Sequence, residues 1–145
     1  MAVMHRFASV LLVDRRGWLL LQERDEHPVI DPDKWSLVGG HVEDGEDYGP
    51  GASRELAEET GIRLEPGELT FWREFEIFHE SYGTHDTVQV FVAPTPLGDE
   101  DVVVGEGRRI VFVEPAAAAG LDLTAAAAIA LPALLDSELY RSMCA

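Results

Sequence analysis

The residues best equipped for chemistry are crowded into SRELAEETGI, Ser53 to Ile62, where Glu55, Glu58 and Glu59 follow Arg54. On a helix, positions three and four apart share a face, so Glu55 sits beside both Glu58 and Glu59. Like charges at that spacing cost about 0.2–0.5 kcal/mol per pair. A solvated acidic face tolerates such repulsion. The other reading is that something cationic sits there.

The rest of the chain must fold so as to hold that helix. At 145 residues, with 46% hydrophobic and 26% charged residues, it has the balance of a single globular domain over 1–145 with a real core. HRFASVLLV reads as a buried strand, DRRG as a turn, and WLLLQER as a second strand paired with the first. Trp35 to Leu37 is a short extended piece, and the Gly-rich segment 39–45 leads into a helix from about Asp47 to Thr60. Asp47 suits its N-cap and Gly61 its left-handed C-terminal residue. Strands over about 69–78 and 87–93 flank a turn with Gly83, a long acidic loop spans 94–107, and RIVFVE is a further strand. A short helix after Pro115 and a C-terminal helix over about 125–140, with Pro132 a kink or break, complete the chain. Strands with helices between and after them imply a mixed sheet covered by helices.

Charge narrows the partners. The formal net charge is −16, from 27 acidic and 11 basic residues, so the surface repels double-stranded nucleic acid. A small phosphate compound binds only where cations and a few arginines reverse the field. The single cysteine, Cys144, rules out an intrachain disulfide and favours a reducing, cytoplasmic setting. The apolar run Phe7 to Val13 is too short to cross a bilayer, so no membrane segment is expected.

From Gly40 the chain reads five residues, Glu46, seven residues, then Arg54-Glu55-Leu56-Ala57-Glu58-Glu59-Thr60-Gly61-Ile62. This string resembles, without a gap, the box that defines the Nudix hydrolases. Seven positions at background frequencies of about 7% coincide by chance on the order of once in 10⁸ placements. The resemblance implies an α/β fold, the Nudix-type α/β/α sandwich with a mixed sheet. It also implies Mg²⁺, with Mn²⁺ as a substitute, held by Glu55, Glu58, Glu59 and the Gly40 carbonyl. Magnesium takes oxygen ligands in near-octahedral geometry, and a bound metal polarises phosphoryl oxygens and lowers the pKa of its water. Arg54 would orient the carboxylates through charge-assisted hydrogen bonds. Leu56 and Ile62 would pack the opposite side into the core. Two positions depart from the family pattern: Val38 replaces the usual proline, and GPG at 49–51 replaces better helix formers.

Outside the box, Glu106 lies in the acidic loop, from which family members often supply a further ligand or a general base; Glu100 and Asp101 are its rivals. Arg24 resembles a family arginine that contacts phosphate. Trp35, with Phe7, Trp72 and Phe91, could stack on a base. His41, in the box loop, reads as solvated. The implied activity is Mg²⁺-dependent hydrolysis of a nucleoside diphosphate linked to another group, water attacking the bridging diphosphate. The chain lacks an N-terminal extension like that of many ADP-ribose members. It has Ile77 and Phe78 where those carry proline, and no SQPWPFPxS-like string. The expected substrate is therefore a nucleoside triphosphate, oxidised or non-standard ones included. ADP-ribose or nucleotide-sugar hydrolysis and a non-catalytic ligand sensor are the alternatives.

Overall fold

The computed structural model describes residues 4–144. Its centre is β1 (Arg6–Val13), whose run of apolar residues is buried on both faces. The other strands are β2 (Leu19–Glu23), β3 (Trp35–His41), β4 (Thr70–His79), β5 (Thr84–Pro94) and β6 (Arg109–Val113), in the spatial order β4-β5-β1-β3-β2-β6. β1 runs parallel to β5 and antiparallel to β3, so the sheet is mixed.

Because side chains alternate along a strand, β1 feeds two cores. Leu11 and Val13 face one, closed by Ala127, Ala130, Leu131 and Leu134 of helix α3 (Ala125–Leu135). Ala8, Val10 and Leu12 face the other, closed by Ala52 and Leu56 of helix α1 (Tyr48–Thr60), which is flanked there by Ile62. The short helix α2 (Pro115–Ala118) precedes α3, and α4 (Glu138–Cys144) follows it. The result is an α/β/α sandwich, as expected.

Local details differ from the sequence reading. β2 meets β1 only at Val13↔Leu19; its ladders are with β3 and β6. β3 extends beyond Leu37 through both glycines, because Ala8 and Ser9 of β1 pair with Gly40 and Gly39. Asp47 is the N-cap of α1 by backbone position, but its side chain makes no capping bond, whereas Gly61 is left-handed at φ 75°. The C-terminal helix does not break at Pro132, which sits inside α3. It breaks at Asp136–Ser137, where the Ser137 hydroxyl accepts from the Tyr140 N–H at 3.1 Å and starts α4.

Candidate active site

With Leu56 and Ala52 turned into the core, the helical period sends Arg54, Glu55, Glu58 and Glu59 toward the end of β3. Arg54 spends its guanidinium on anions and a carbonyl. Nε and Nη2 reach Glu46 at 2.8 and 2.9 Å, Nη1 reaches Glu55 at 3.0 Å and Glu58 at 3.1 Å, and Nη2 also reaches the His41 carbonyl at 3.0 Å. The paired donation from Arg54, followed by the Glu43 N–H, holds the Glu46 carboxyl down to about 2.

Glu55 and Glu59 point inward. The Glu55 carboxyl lies so close to Gly40 that a Cβ there would stand 2.7 Å from its carbon. Any side chain at 40 would push the carboxylate away. Glu59 is 4% exposed and receives one donor, the Gly39 N–H at 3.1 Å.

The acidic loop after β5 brings Glu106 to the same place. The Gly105 and Val103 N–H groups bond to the Glu59 and Thr60 carbonyls, 2.8 and 2.9 Å, satisfying acceptors left free at the end of α1. Gly105 passes so close to the Glu58 carbonyl that a Cβ would collide with it. The Glu106 carbonyl accepts from the Gln22 side chain at 2.8 Å, and Glu106 lines the same cavity as Glu59. Burial first, then the charges of Glu55 and Glu106, push the Glu59 carboxyl up to about 9. Glu55 is raised as well, chiefly by burial, against the pull of Arg54. An all-oxygen cluster whose acids resist ionisation fits a hard divalent cation.

These groups open into a cavity of about 350 Å³. Glu55, Glu59, Glu106 and Gly40 line one part of it, with Arg24, whose buried Nε has no hydrogen-bond partner among the described residues. Phe7, His41, His79 and Tyr82 line another.

Not every expected residue is there. Glu58 does not line the cavity: its side chain is 58% exposed and rests on Arg54. Trp35 does not line it either. It opens β3 on the face covered by α3, and its backbone is clasped by Asp122 and Thr124, so the indole belongs to the core with the Arg109 guanidinium 5.1 Å from its ring. Phe91 is in the opposite core, and Trp72 packs against the α3 side. Glu100 and Asp101 are exposed in a short turn away from the cavity. His41 is exposed, as expected of a solvated residue, but it lies on a strand rather than in a loop. It ends β3 with its ring 4.4 Å from Phe7, and the partial desolvation of that ring, followed by the charge of His5, lowers its pKa.

The residues that went unnoticed in the sequence are Ser9, Gln22, His79 and Tyr82 of the cavity wall, and Asp86 behind His79. For His79, Tyr82 and Asp86 the signal lies in strand register: the four-residue turn after His79 pairs Ile77 with Asp86 and His79 with Thr84.

Compared with known proteins, the sequence matches the NUDIX domain over residues 3–134. The chain belongs to the Nudix family. It is 36% identical over 142 residues to the dihydroneopterin triphosphate diphosphatase of Escherichia coli K12, covering 88% of this chain and 85% of that one. The crystal structure of a MutT NUDIX hydrolase from Burkholderia pseudomallei superposes with a TM-score of 0.73 at 27% identity, over 90% of this chain and 97% of that one. MutT protein from Methanosarcina mazei Go1 shares the fold, with a TM-score of 0.71 at 23% identity over 98% and 94% of the two chains. This Nudix hydrolase is thus a pyrophosphohydrolase acting on acid anhydrides. Among its described residues, no helix is long and apolar enough to cross a membrane.

Proposed function

We propose that this Nudix hydrolase is a Mg²⁺-dependent nucleoside triphosphate pyrophosphohydrolase, releasing a nucleoside monophosphate and pyrophosphate. One observation carries the reading: a single cavity is lined both by the Glu55, Glu59 and Glu106 carboxylates and by the rings of Phe7, His41 and Tyr82. A polyphosphate needs the first group, and a flat heterocycle needs the second.

Glu55, Glu59 and the Gly40 carbonyl hold the cation, with Mn²⁺ as a substitute, and Glu58 joins from the rim. When bound, the ion supplies charge stabilisation at the phosphoryl oxygens and a more acidic water. Arg24 pairs with phosphate oxygens, which gives its unpartnered Nε an acceptor. Arg54 fixes Glu55 and Glu58 in place. Glu106 receives the proton of the attacking water. These local cations are what let an anionic substrate approach a chain of net charge −16.

The 36% identity to a dihydroneopterin triphosphate diphosphatase supports a second reading, in which the triphosphate is carried by a pterin. Purified protein incubated with nucleoside and pterin triphosphates, ADP-ribose and nucleotide sugars, with Mg²⁺ or EDTA, separates the cases. The expected outcome is Mg²⁺-dependent formation of monophosphate and pyrophosphate. Cleavage of ADP-ribose with no triphosphate turned over, or binding with no turnover at all, would overturn the proposal.

A further inference from the structure

Behind the cavity wall, on the side away from the glutamates, lies a second buried carboxylate. Asp86, fully buried in β5, accepts the His5 N–H at 2.9 Å and the Thr84 hydroxyl at 2.7 Å on Oδ1. Its Oδ2 lies 2.6 Å from His79 Nδ1. Burial alone would raise this acid, but those three donors outweigh it and hold Asp86 below the usual range, so it is ionised. An ionised carboxylate only accepts, so Nδ1 of a neutral His79 must carry the ring proton. That leaves Nε2 as an acceptor. Nε2 has no protein partner among the described residues, and His79 lines the cavity.

Around it the rings pack into one aromatic wall of the cavity. His79 meets Phe7 edge-on at 5.4 Å, Phe7 lies 4.4 Å from His41, and Tyr82 stacks on His5 at 4.1 Å. Aromatic faces accept any planar base, whereas one fixed acceptor distinguishes bases by their donors.

We propose that His79 is the specificity-determining residue for the base, accepting a hydrogen bond at Nε2 from an N–H on the heterocycle seated among Phe7, His41 and Tyr82. Asp86 is the positioning residue that fixes the ring and its tautomer. The inference rests on the nucleotide reading above and names which part of the nucleotide this wall reads.

Binding of nucleosides, free of phosphate and measured in EDTA at pH 8 by calorimetry and saturation-transfer NMR, tests it apart from hydrolysis. The probes are guanosine, adenosine, cytidine, uridine and purine riboside, whose base is planar but has no N–H. The parent should favour its best donor-bearing nucleoside over purine riboside by about tenfold or more. H79F should reduce that preference to less than about threefold. D86N provides a sharper reading. The His5 N–H and Thr84 hydroxyl keep the amide oxygen at the Oδ1 position, which turns the amide NH₂ toward His79 Nδ1. The ring proton then moves to Nε2, a donor, and the preference should fall or reverse.

Y82A changes a half-buried residue outside the buried network, so it folds even if the other two do not. It should weaken all nucleosides alike and keep the preference. No preference in the parent, no nucleoside binding, or a preference unchanged in H79F and D86N would overturn the proposal, His79–Asp86 then being a fold contact alone. A parent that discriminates nucleosides yet hydrolyses no triphosphate would instead refute the hydrolase reading and support the base site. A parent that hydrolyses triphosphates without discrimination would do the reverse.

Discussion

One end of the cavity buries a carboxylate in its wall and the other buries one behind it, and the two are treated in opposite ways. Asp86 has three donors and no acidic neighbour among its hydrogen-bond partners, and it is held as an anion below its ordinary range. Glu59 has one donor and two acidic neighbours, and it is pushed up to about 9. Both side chains are shielded from solvent; donors around Asp86, and desolvation with acidic neighbours around Glu59, set the two apart. A group satisfied by protein is finished and can orient something else. A group left short of positive charge is waiting for a cation from outside.

The largest effect expected from this contrast is on catalysis. E59Q keeps the shape and removes the charge, and should lower turnover at saturating substrate by about 100-fold or more, with near-parental folding by circular dichroism. E106Q should also cost about 10²–10⁴-fold if Glu106 takes the proton. A drop smaller than about threefold across a magnesium titration would make Glu106 a surface charge. Near-parental turnover of folded E59Q at low magnesium would remove the cation from the contrast.

Next in size is the stability of the Asp86 end. D86A strands the His5 N–H, the Thr84 hydroxyl and the His79 ring N–H, each unsatisfied buried donor costing about 1–3 kcal/mol. Partial relaxation brings the expected loss to roughly 3 kcal/mol, or a melting temperature lower by about 6–12 °C for a chain of this size. A shift under about 2 °C would mean that water replaces the carboxylate and the network is weak.

Smaller, and opposite in sign at the two ends, is the pH dependence of stability without metal. Glu59 is raised in the folded state from its ordinary 4.5 to about 9. Its contribution to stability is complete below 4.5 and is lost as pH rises toward 9. Asp86 is depressed, so its contribution is present above its ordinary 3.8 and is lost as pH falls through the lowered value. Melts in EDTA should therefore decline on the alkaline side, and E59Q should flatten that decline. Magnesium at 100 times its dissociation constant should restore roughly 2.7 kcal/mol in the parent. An alkaline limb identical in parent and E59Q would show that Glu59 ionises freely.

The two ends also differ in how visible they were in the sequence. The glutamate end is written locally: Gly40, Glu46, Arg54, Glu55, Glu58 and Glu59 lie within one strand–loop–helix segment, so spacing alone brings them together. Glu106 could be suspected from its loop, but its approach depends on backbone bonds from Val103 and Gly105 to the end of α1. The Asp86 end is written in register. His79 and Asp86 meet only because the turn before Thr84 sets the pairing of β4 with β5. Trp35 shows the same limit from the other side. An aromatic beginning a strand beside the box looks available, yet which face the α3 segment covers is decided by Asp122 and Thr124, far along the chain.

The smallest expected effect belongs to Glu58, on the margin of the contrast. From spacing alone, relieving the crowd by changing Glu58 to Gln should raise the melting temperature in the absence of metal. The geometry argues against that. Glu58 is largely exposed and sits 3.1 Å from Arg54, so most of its field is answered by a guanidinium and by water. Exposed pairs of this kind are worth about 0.2–1 kcal/mol, enough to offset the repulsion that Glu58 imposes on Glu55. E58Q should therefore melt within about 2 °C of the parent in EDTA, its two small terms opposing each other. The magnesium titration should still move: without its rim carboxylate the cluster should need severalfold more magnesium to reach the same melting temperature. A rise of several degrees in EDTA would mean that Glu58 belongs with Glu59 among the unrelieved charges. An unchanged magnesium midpoint would mean that it takes no part in holding the ion.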